Sequence, residues 1–422
     1  MKEILRLGSM GAGFVANFQQ AANQLVPGLE FGGVHALKGA EQLAAKATAT
    51  GEIDCVVYKS VADLVEHCDV IANFAPNPFR VELMEQVVDA ATRLGKKPKG
   101  LICEKPLGRT ITEARRMVEL AKTLGCPTSY FENQIHMKAI KAGLKGLARV
   151  QGKMGPLVLA RGGEEHSGPH EGWFWDATRQ GGGVLSDMAC HTIAVLWRLL
   201  TPVGKDLRFL RPVSIGADTL LLKWGQPKYR AQLLKRMGVD YALVPAEDFA
   251  TGLVTFENPE TRQRVVAQFA TSWMYDKQGL RLSMEGMGPG YALEVNSLRS
   301  SLEVFIGDAA AEAVTDAEGA LEKSTASRGL LAVQPNEPDL YGYVDEQVDA
   351  RDAFREGHDG LLNWEYGLEI TRLCQAAYMA AEKRQTLDLT DPAVQTALET
   401  YRSLISQGKG HSVLYPDGKV PE

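Results

Sequence analysis

The sequence predicts a doubly wound α/β domain with a parallel sheet, followed by an α+β domain with a second, mainly antiparallel sheet. Three observations carry that expectation. Short apolar runs alternate with helical stretches through the first 130 residues. A glycine-rich turn, Gly11-Ala12-Gly13, joins the first run to the first helix. After Ser129-Tyr130-Phe131 the alternation gives way to strand-like runs at similar spacing. Strands that alternate with helices build a parallel sheet covered on both faces, and such crossovers are right-handed almost without exception.

The elements follow in order. Ile4 to Met10 is the first strand, and Phe14 to Leu25 the helix after the turn. Leu29 to Ala36 is a second strand, Ala40 to Ala47 an Ala-rich helix, Cys55 to Tyr58 a third strand, and Val61 to His67 a short helix. Asp69 to Phe74 forms a fourth strand, stopped by Ala75-Pro76-Asn77-Pro78. A helix from Phe79 to Leu94, a strand from Gly100 to Cys103 and a helix from Ile111 to Leu124 complete the repeat. Residues 1–130 therefore read as a nucleotide-binding domain and 131–422 as an α+β domain whose sheet faces it, with a C-terminal helix returning to the first domain. In the second domain, Met137 to Lys153 is amphipathic and Pro156 to Arg161 reads as an edge strand. Gly252 to Glu257, Arg264 to Phe269, Leu280 to Met284, Tyr291 to Val295 and Ser301 to Ile306 read as antiparallel strands. Pro202 to Phe249 and Asp308 to Asp345 read as insertions, and Leu361 to Ala381 as the late helix.

Composition excludes several classes. A chain of 422 residues, 45% hydrophobic and 23% charged, has ample material for a core, which excludes disorder. Its formal charge of −6 gives no basic footprint for nucleic acid. The six cysteines form no Cys-x-x-Cys pair and read as reduced, mostly buried thiols. No membrane-length apolar run is expected, and the first strand turns too soon for the apolar core of a signal peptide. A cytoplasmic protein is the expectation.

Gly11-Ala12-Gly13-Phe14-Val15-Ala16 has residue types with a chemical reason behind them. The first small residue permits the tight turn, the second lets backbone approach a pyrophosphate, and the third allows close helix–strand packing. The helix start then offers amide donors and partial positive charge to phosphate. After the second strand, where an NAD site places an acid, stand Val34-His35-Ala36-Leu37-Lys38. Glu30 comes too early and Glu41 too late. Such a loop does not repel a 2′-phosphate, and Lys38 either attracts one or is a solvated helix-start charge, so NAD and NADP both stay open. Cys103-Glu104-Lys105-Pro106 lies at the C-terminal end of a parallel strand, where open α/β sheets bind ligands. Gly181-Gly182-Gly183 leads into a helix on which Asp187 and His191 stand at i, i+4, hence on one face. A carboxylate that orients an imidazole makes a general-base unit; the bland reading is a helix-start Asp with a core histidine.

Taken together and in order, the turn at Gly11, Ala75-Pro76-Asn77, Glu104-Lys105-Pro106 and Gly182-Gly183-Val184-Leu185-Ser186-Asp187-Met188-Ala189-Cys190-His191 resemble the glucose–fructose oxidoreductase/inositol dehydrogenase/MocA (Gfo/Idh/MocA) family. That resemblance implies a Rossmann domain plus a C-terminal domain on an open, mainly antiparallel sheet. It also implies nicotinamide-dependent oxidation or reduction of a sugar, glycoside or polyol hydroxyl, and a homo-oligomer. By the matching positions it implies Lys105, Asp187 and His191 as catalytic residues. Gly11, Gly13, Phe14, Val15, Ala36, Lys38, Pro76, Asn77, Glu104 and Lys105 would line NAD or NADP. Asn133, in Glu132-Asn133-Gln134-Ile135-His136, would touch substrate.

His166, His170, Trp173 and Trp175 precede the glycine triplet and join rings to polar groups, which suits a sugar. The His-x-x-x-His spacing is read as no metal site, because Gly168-Pro169 breaks the helical face. Lys223 to Arg236, with Trp224 and Tyr229, reads as a solvated helical face or an oligomer contact. The expectation is an oxidoreductase in which His191 takes the hydroxyl proton and Lys105 hydrogen-bonds the reacting oxygen, all three polar groups converging beside the nicotinamide. NAD-assisted glycoside cleavage without net redox and a non-catalytic sensor of dinucleotide or sugar are the alternatives.

Overall fold

The computed structural model describes residues 4–276, 279–297, 303–306, 329–332, 336–415 and 419–420. The chain divides into two compact units. One comprises the residues up to Lys138 together with Pro338–Thr371, the other Ala139–Glu337 together with the residues from Arg372 onward.

The first unit is built on six parallel strands: β1 (Leu5–Met10), β2 (Leu29–His35), β3 (Val56–Val57), β4 (Val70–Asn73), β5 (Gly100–Glu104) and β6 (Thr128–Phe131), in the order β3-β2-β1-β4-β5-β6. β4, β5 and β6 are buried at every residue, as a parallel sheet covered on both faces requires. Met10 pairs with both His35 and Asn73, and Asn73 pairs with Cys103, so the C-terminal ends of β1, β2, β4 and β5 lie level. The strand order reverses between β1 and β4, the switch point at which such sheets bind ligands. Helices α1 (Phe14–Asn23), α2 (Ala40–Thr50), α3 (Val61–His67), α4 (Arg80–Leu94) and α5 (Ile111–Leu124) make the crossovers.

A late segment completes this unit. The helix Tyr343–Glu356 places Gln347, whose Nε2 donates to Gln19 O at 2.8 Å and whose Oε1 accepts from Asn23 Nδ2 at 2.8 Å. Tyr130 N donates to Leu362 O at 2.8 Å, and Trp364 Nε1 to Ser129 O at 3.1 Å. The helix that was expected at Leu361 to Ala381 runs Trp364–Lys383.

The second unit carries a seven-stranded sheet: β7 (Leu159–Glu165), β8 (Arg211–Leu220), β9 (Phe249–Glu257), β10 (Arg264–Ser272), β11 (Arg281–Gly288) and β12 (Tyr291–Asn296), closed by Leu387–Asp388 next to β8. Its order is β12-β11-β7-β10-β9-β8 and then 387–388, with every pairing antiparallel except β7 with β10. Two expectations are corrected here. The strand predicted at Pro156 to Arg161 is not at an edge, because β7 has partners on both sides. Gly162 and Gly163 obscure its apolar pattern, and Gly162 is small because a Cβ there would lie 2.9 Å from Thr192 and 3.1 Å from Leu196. The stretch 202–249 is not wholly an insertion, since β8 inside it pairs along its length with β9.

Helix α6 (Lys138–Met154) occupies the predicted amphipathic stretch. Ala177–Leu200 contains a window long and apolar enough to cross a membrane, but 94% of that window is buried inside the protein. It is the central core helix of the second unit. Strands β13 (Glu303–Ile306) and β14 (Gly329–Ala332) pair antiparallel. Most of the expected insertion 308–345 lies outside the described residues.

Candidate active site

In the first unit, the turn after β1 is shaped by two glycines with different jobs. Gly11 has φ +113°, and a Cβ there would stand 2.9 Å from the carbonyl of Phe74, so no larger residue fits. Gly13 is the N-cap of α1 in extended geometry, and a Cβ on it would meet nothing within 4 Å. Open space thus lies against this backbone. No side chain caps α1 and no acidic residue sits in its first turn, which leaves amide donors and the positive end of the helix dipole for an anion. Ala16, fully buried, allows the helix to pack closely. Phe14 is exposed and Val15 half-buried. These residues fit a dinucleotide pyrophosphate.

Beyond β2, Ala36 is half-buried and Lys38 exposed. Glu30 is occupied elsewhere, accepting from Glu52 N at 2.6 Å and Ile53 N at 3.2 Å. The loop at the end of β2 therefore offers a lysine and no carboxylate.

The ends of β4 and β5 are tied together by a residue the sequence reading passed over. Arg80, at the start of α4 and buried, donates from Nε to Ala75 O at 3.0 Å and from Nη1 to Glu104 O at 2.7 Å and to Pro106 O. Asn73 Nδ2 returns a bond to Arg80 O at 2.9 Å. The two loops carrying Pro76-Asn77 and Glu104-Lys105 are thus held by one guanidinium. Pro76 is half-buried, Asn77 is buried in a short 3-10 turn (Asn77–Phe79), and Lys105, half-buried, precedes a cis peptide bond to Pro106.

Glu104 accepts from Gln19 Nε2 at 2.8 Å and from Lys105 N at 3.1 Å. The same Gln19 amide donates to Glu346 Oε1 at 2.8 Å. Burial, with Glu104 nearby, holds the Glu346 carboxyl well above the usual carboxylate range. Asn133 is buried and donates to Tyr341 O at 2.8 Å, a bond within the first unit.

In the second unit, Gly181 to Gly183 lead into Leu185–Ala189, which forms a π-helical turn, and then α7 (Cys190–Leu200). The helix bearing Asp187 and His191 therefore opens with a widened turn instead of the α-helix expected, a feature that gathers at functional sites. Both side chains are buried. Asp187 Oδ2 accepts from Trp273 Nε1 at 3.2 Å and lies 3.8 Å from His166 Nε2. His166 Nδ1 accepts from Gly168 N at 2.9 Å, so in the neutral ring the proton sits on Nε2, on the side facing Asp187. His166 and Trp273 join Asp187 through tertiary pairing that local spacing does not encode.

The aromatic segment divides. Trp175, expected to bind substrate, is a core residue instead. It is 2% exposed, its Nε1 donates to Pro169 O at 3.0 Å, and its ring lies 4.8 Å from Trp224 and 5.0 Å from Trp273. Its aromatic neighbours come from distant parts of the chain, which is why local sequence gave no sign of its burial. Trp173 is half-buried and stacked at 3.9 Å on Phe174, and His170 is exposed. Lys223 lies over the rings of Trp224 and Tyr229 and pairs with Asp276, so part of the basic stretch is used in this unit's own packing.

Comparison with known proteins gives the family and the fold. Residues 5–131 match the sequence model of the oxidoreductase family with the NAD-binding Rossmann fold of Gfo/Idh/MocA, and residues 148–288 match the Gfo/Idh/MocA C-terminal domain. A 1,5-anhydro-D-fructose reductase of Ensifer adhaerens is 33% identical over 154 residues, 36% of this chain and 44% of that protein. An uncharacterized protein of Saccharomyces cerevisiae is 26% identical over 183 residues, 41% of this chain and 49% of its own length. The matches thus span about half the length of these curated relatives. Among solved structures, GenD2 from gentamicin A biosynthesis, in complex with NAD, superposes with a TM-score of 0.71 at 19% identity, covering 93% of this chain and 98% of that one. A myo-inositol 2-dehydrogenase from Lactobacillus plantarum does so at 0.65 and 17%, covering 92% and 99%. These likenesses show a shared fold.

Proposed function

The chain belongs to the Gfo/Idh/MocA oxidoreductase family, and from that premise we propose that it moves hydride between a nicotinamide dinucleotide and a hydroxyl-bearing carbon of a sugar, glycoside or polyol. The observation that carries the reading is the buried Asp187, gripped by an indole N–H and faced by an imidazole N–H, on the widened first turn that also leads to His191. Buried charge of this kind is costly unless partnered, and it is placed where chemistry needs it.

Gly11, Gly13, Pro76, Asn77 and Glu104 would hold the dinucleotide. Its nicotinamide supplies or accepts the hydride. His191 takes the hydroxyl proton, with Asp187 stabilising the charged imidazole. Lys105, an ammonium on the strand-end loop fixed by Arg80, hydrogen-bonds the reacting oxygen and favours its alkoxide character. His166, His170, Trp173 and Asn133 are our candidates for the substrate's other hydroxyls and faces, with His166 also serving Asp187. The lysine after β2 favours NADP over NAD.

The test is an absorbance screen for reduced nicotinamide, crossing both cofactors with free sugars, glycosides and sugar acids. Turnover with one class is expected, and Lys105→Ala and His191→Ala should each lower it about 10²-fold or more. Near-wild-type turnover in either variant defeats the assignment. Aglycone release without reduced cofactor would identify redox-assisted cleavage instead, and cofactor binding with no turnover on any substrate a sensor.

A further inference from the structure

The helix that presents Asp187 and His191 begins inside the protein, where its first amides need partners other than water. Four consecutive donors find them in two residues far away in sequence. Gly183 N donates to Glu247 Oε1 at 3.0 Å, Val184 N to the Glu247 backbone O at 3.0 Å, and Leu185 N to Glu247 Oε1 at 3.1 Å. Ser186 N donates to the Tyr378 hydroxyl at 3.2 Å, and that hydroxyl donates to Glu247 Oε1 at 2.6 Å. Gly183 N also lies 3.1 Å from Glu247 Oε2 and 3.1 Å from the Tyr378 hydroxyl oxygen. Glu247 and Tyr378 are each 0% exposed. The glycines are what let the clamp close, because a Cβ on Gly183 would run into Glu247 and one on Gly182 into the Tyr378 hydroxyl.

We propose that Glu247, with Tyr378, is the positioning residue of the catalytic helix: a remote cap that fixes the register in which Asp187 and His191 are presented. The inference rests on the function proposed above, and it concerns residues that touch neither substrate nor cofactor in that reading. An ordinary N-cap is supplied by the residue just before the helix; here glycines occupy that stretch and the cap comes from the segment before β9 and from the helix Trp364–Lys383. A carboxylate suits the task, because its acceptor-only oxygens meet donors on every side and its charge complements the helix dipole.

Protonation would place a donor among donors and loosen the clamp. Burial pushes the Glu247 carboxyl up to about 7, against bonds from Tyr378, Leu185 and Gly183 that favour the anion. Glu247 faces the phenols of Tyr378 and Tyr241, whose ionisation it opposes, and Asp248 follows it in sequence. None of these carries positive charge, and the groups that favour the anion are the hydrogen bonds it accepts.

The experiment uses full-length Glu247→Gln and Tyr378→Phe. Gln keeps the shape but removes the charge, and with its oxygen at the Oε1 position its N–H₂ takes the place of Oε2 and faces the Gly183 donor. The chain has six tryptophans, so six indole N–H resonances, and Trp273→Phe identifies the one bonded to Asp187. Expected results are a displaced Trp273 resonance in Glu247→Gln and turnover lowered about tenfold or more, the scale of a slightly misplaced catalytic group. Affinity for reduced nicotinamide dinucleotide should be unchanged. In the wild type the Trp273 resonance should titrate with a midpoint near 7, and in Glu247→Gln that titration should vanish. A folded Glu247→Gln with the Trp273 resonance in place and turnover within twofold of wild type overturns the proposal. Should that variant not fold, Tyr378→Phe decides, since an unmoved resonance there also overturns it. The resonance needs no substrate, so a failed search for turnover defeats the proposed function without deciding this one.

Discussion

Gly13→Ala separates cofactor binding from folding more cleanly than any catalytic substitution. Gly13 is extended (φ −77°, ψ −165°), so alanine adopts its backbone without strain, and the added methyl meets no atom within 4 Å. Lower entropy of the unfolded chain stabilises the variant by about 0.4–1 kcal/mol. Alanine is a poorer N-cap than glycine by a similar amount, so the two effects nearly cancel. Without cofactor, the unfolding temperature should stay within about 2–4 °C of wild type. With cofactor the outcome differs, because the methyl fills the space against which a pyrophosphate must pack. Loss of two charge-assisted amide–phosphate bonds, about 1.5–3 kcal/mol each, lowers affinity by about 10²–10⁴-fold. Gly11→Ala is the contrast: at φ +113° and 2.9 Å from the Phe74 carbonyl, it should damage the fold itself. Thermal unfolding with and without dinucleotide, and fluorescence titration with its reduced form, read both effects. Wild-type affinity in Gly13→Ala would refute the placement of the phosphates.

Arg80→Lys keeps the charge but cannot reach Ala75 O, Glu104 O and Pro106 O together; the expected result is at least a tenfold loss in kcat/KM, checked by steady-state kinetics. Stability should depend on pH through Glu247. Its carboxyl titrates near 4.5 unfolded and about 7 folded, so between those values the folded state holds the extra proton and stability falls as pH rises, levelling above 7. The drop is on the order of 3 kcal/mol, and Glu247→Gln should lack it in urea unfolding from pH 5 to 8. Lys38→Glu should lower activity with NADP relative to NAD by tenfold or more, and an unchanged ratio would remove Lys38 from the cofactor's ribose.

The parallel unit was legible because its signals are local: buried apolar runs at regular spacing and glycines where only glycine fits, as at Gly11. The π-helical turn was not, because the partners of the amides leading into it, Glu247 and Tyr378, approach the glycines from remote sequence. The same holds for Trp175. Its rings and polar neighbours looked like a sugar platform, yet Trp224 and Trp273 enclose it from segments tens of residues away. β7 was misplaced at an edge for a related reason, since Gly162-Gly163 carry no apolar signature even though α7 packs directly upon Gly162. Lys105, Asp187 and His191 are proposed from motif order. Arg80 was missed because an arginine at a helix start reads as solvated until its three carbonyl partners are seen.

The first unit needs residues 338–371, and that has a consequence for biosynthesis. When the ribosome has delivered residue 138, the sheet still lacks Gln347, Glu346 and Trp364, so polar groups on α1 and strand β6 wait for partners not yet made. At usual elongation speeds the missing piece emerges roughly 10–50 s later, after the larger part of the second unit. A gene fragment ending at 138 should accordingly yield a chain that exposes its α1 glutamines and aggregates, whereas one fusing 338–371 behind it restores the missing partners.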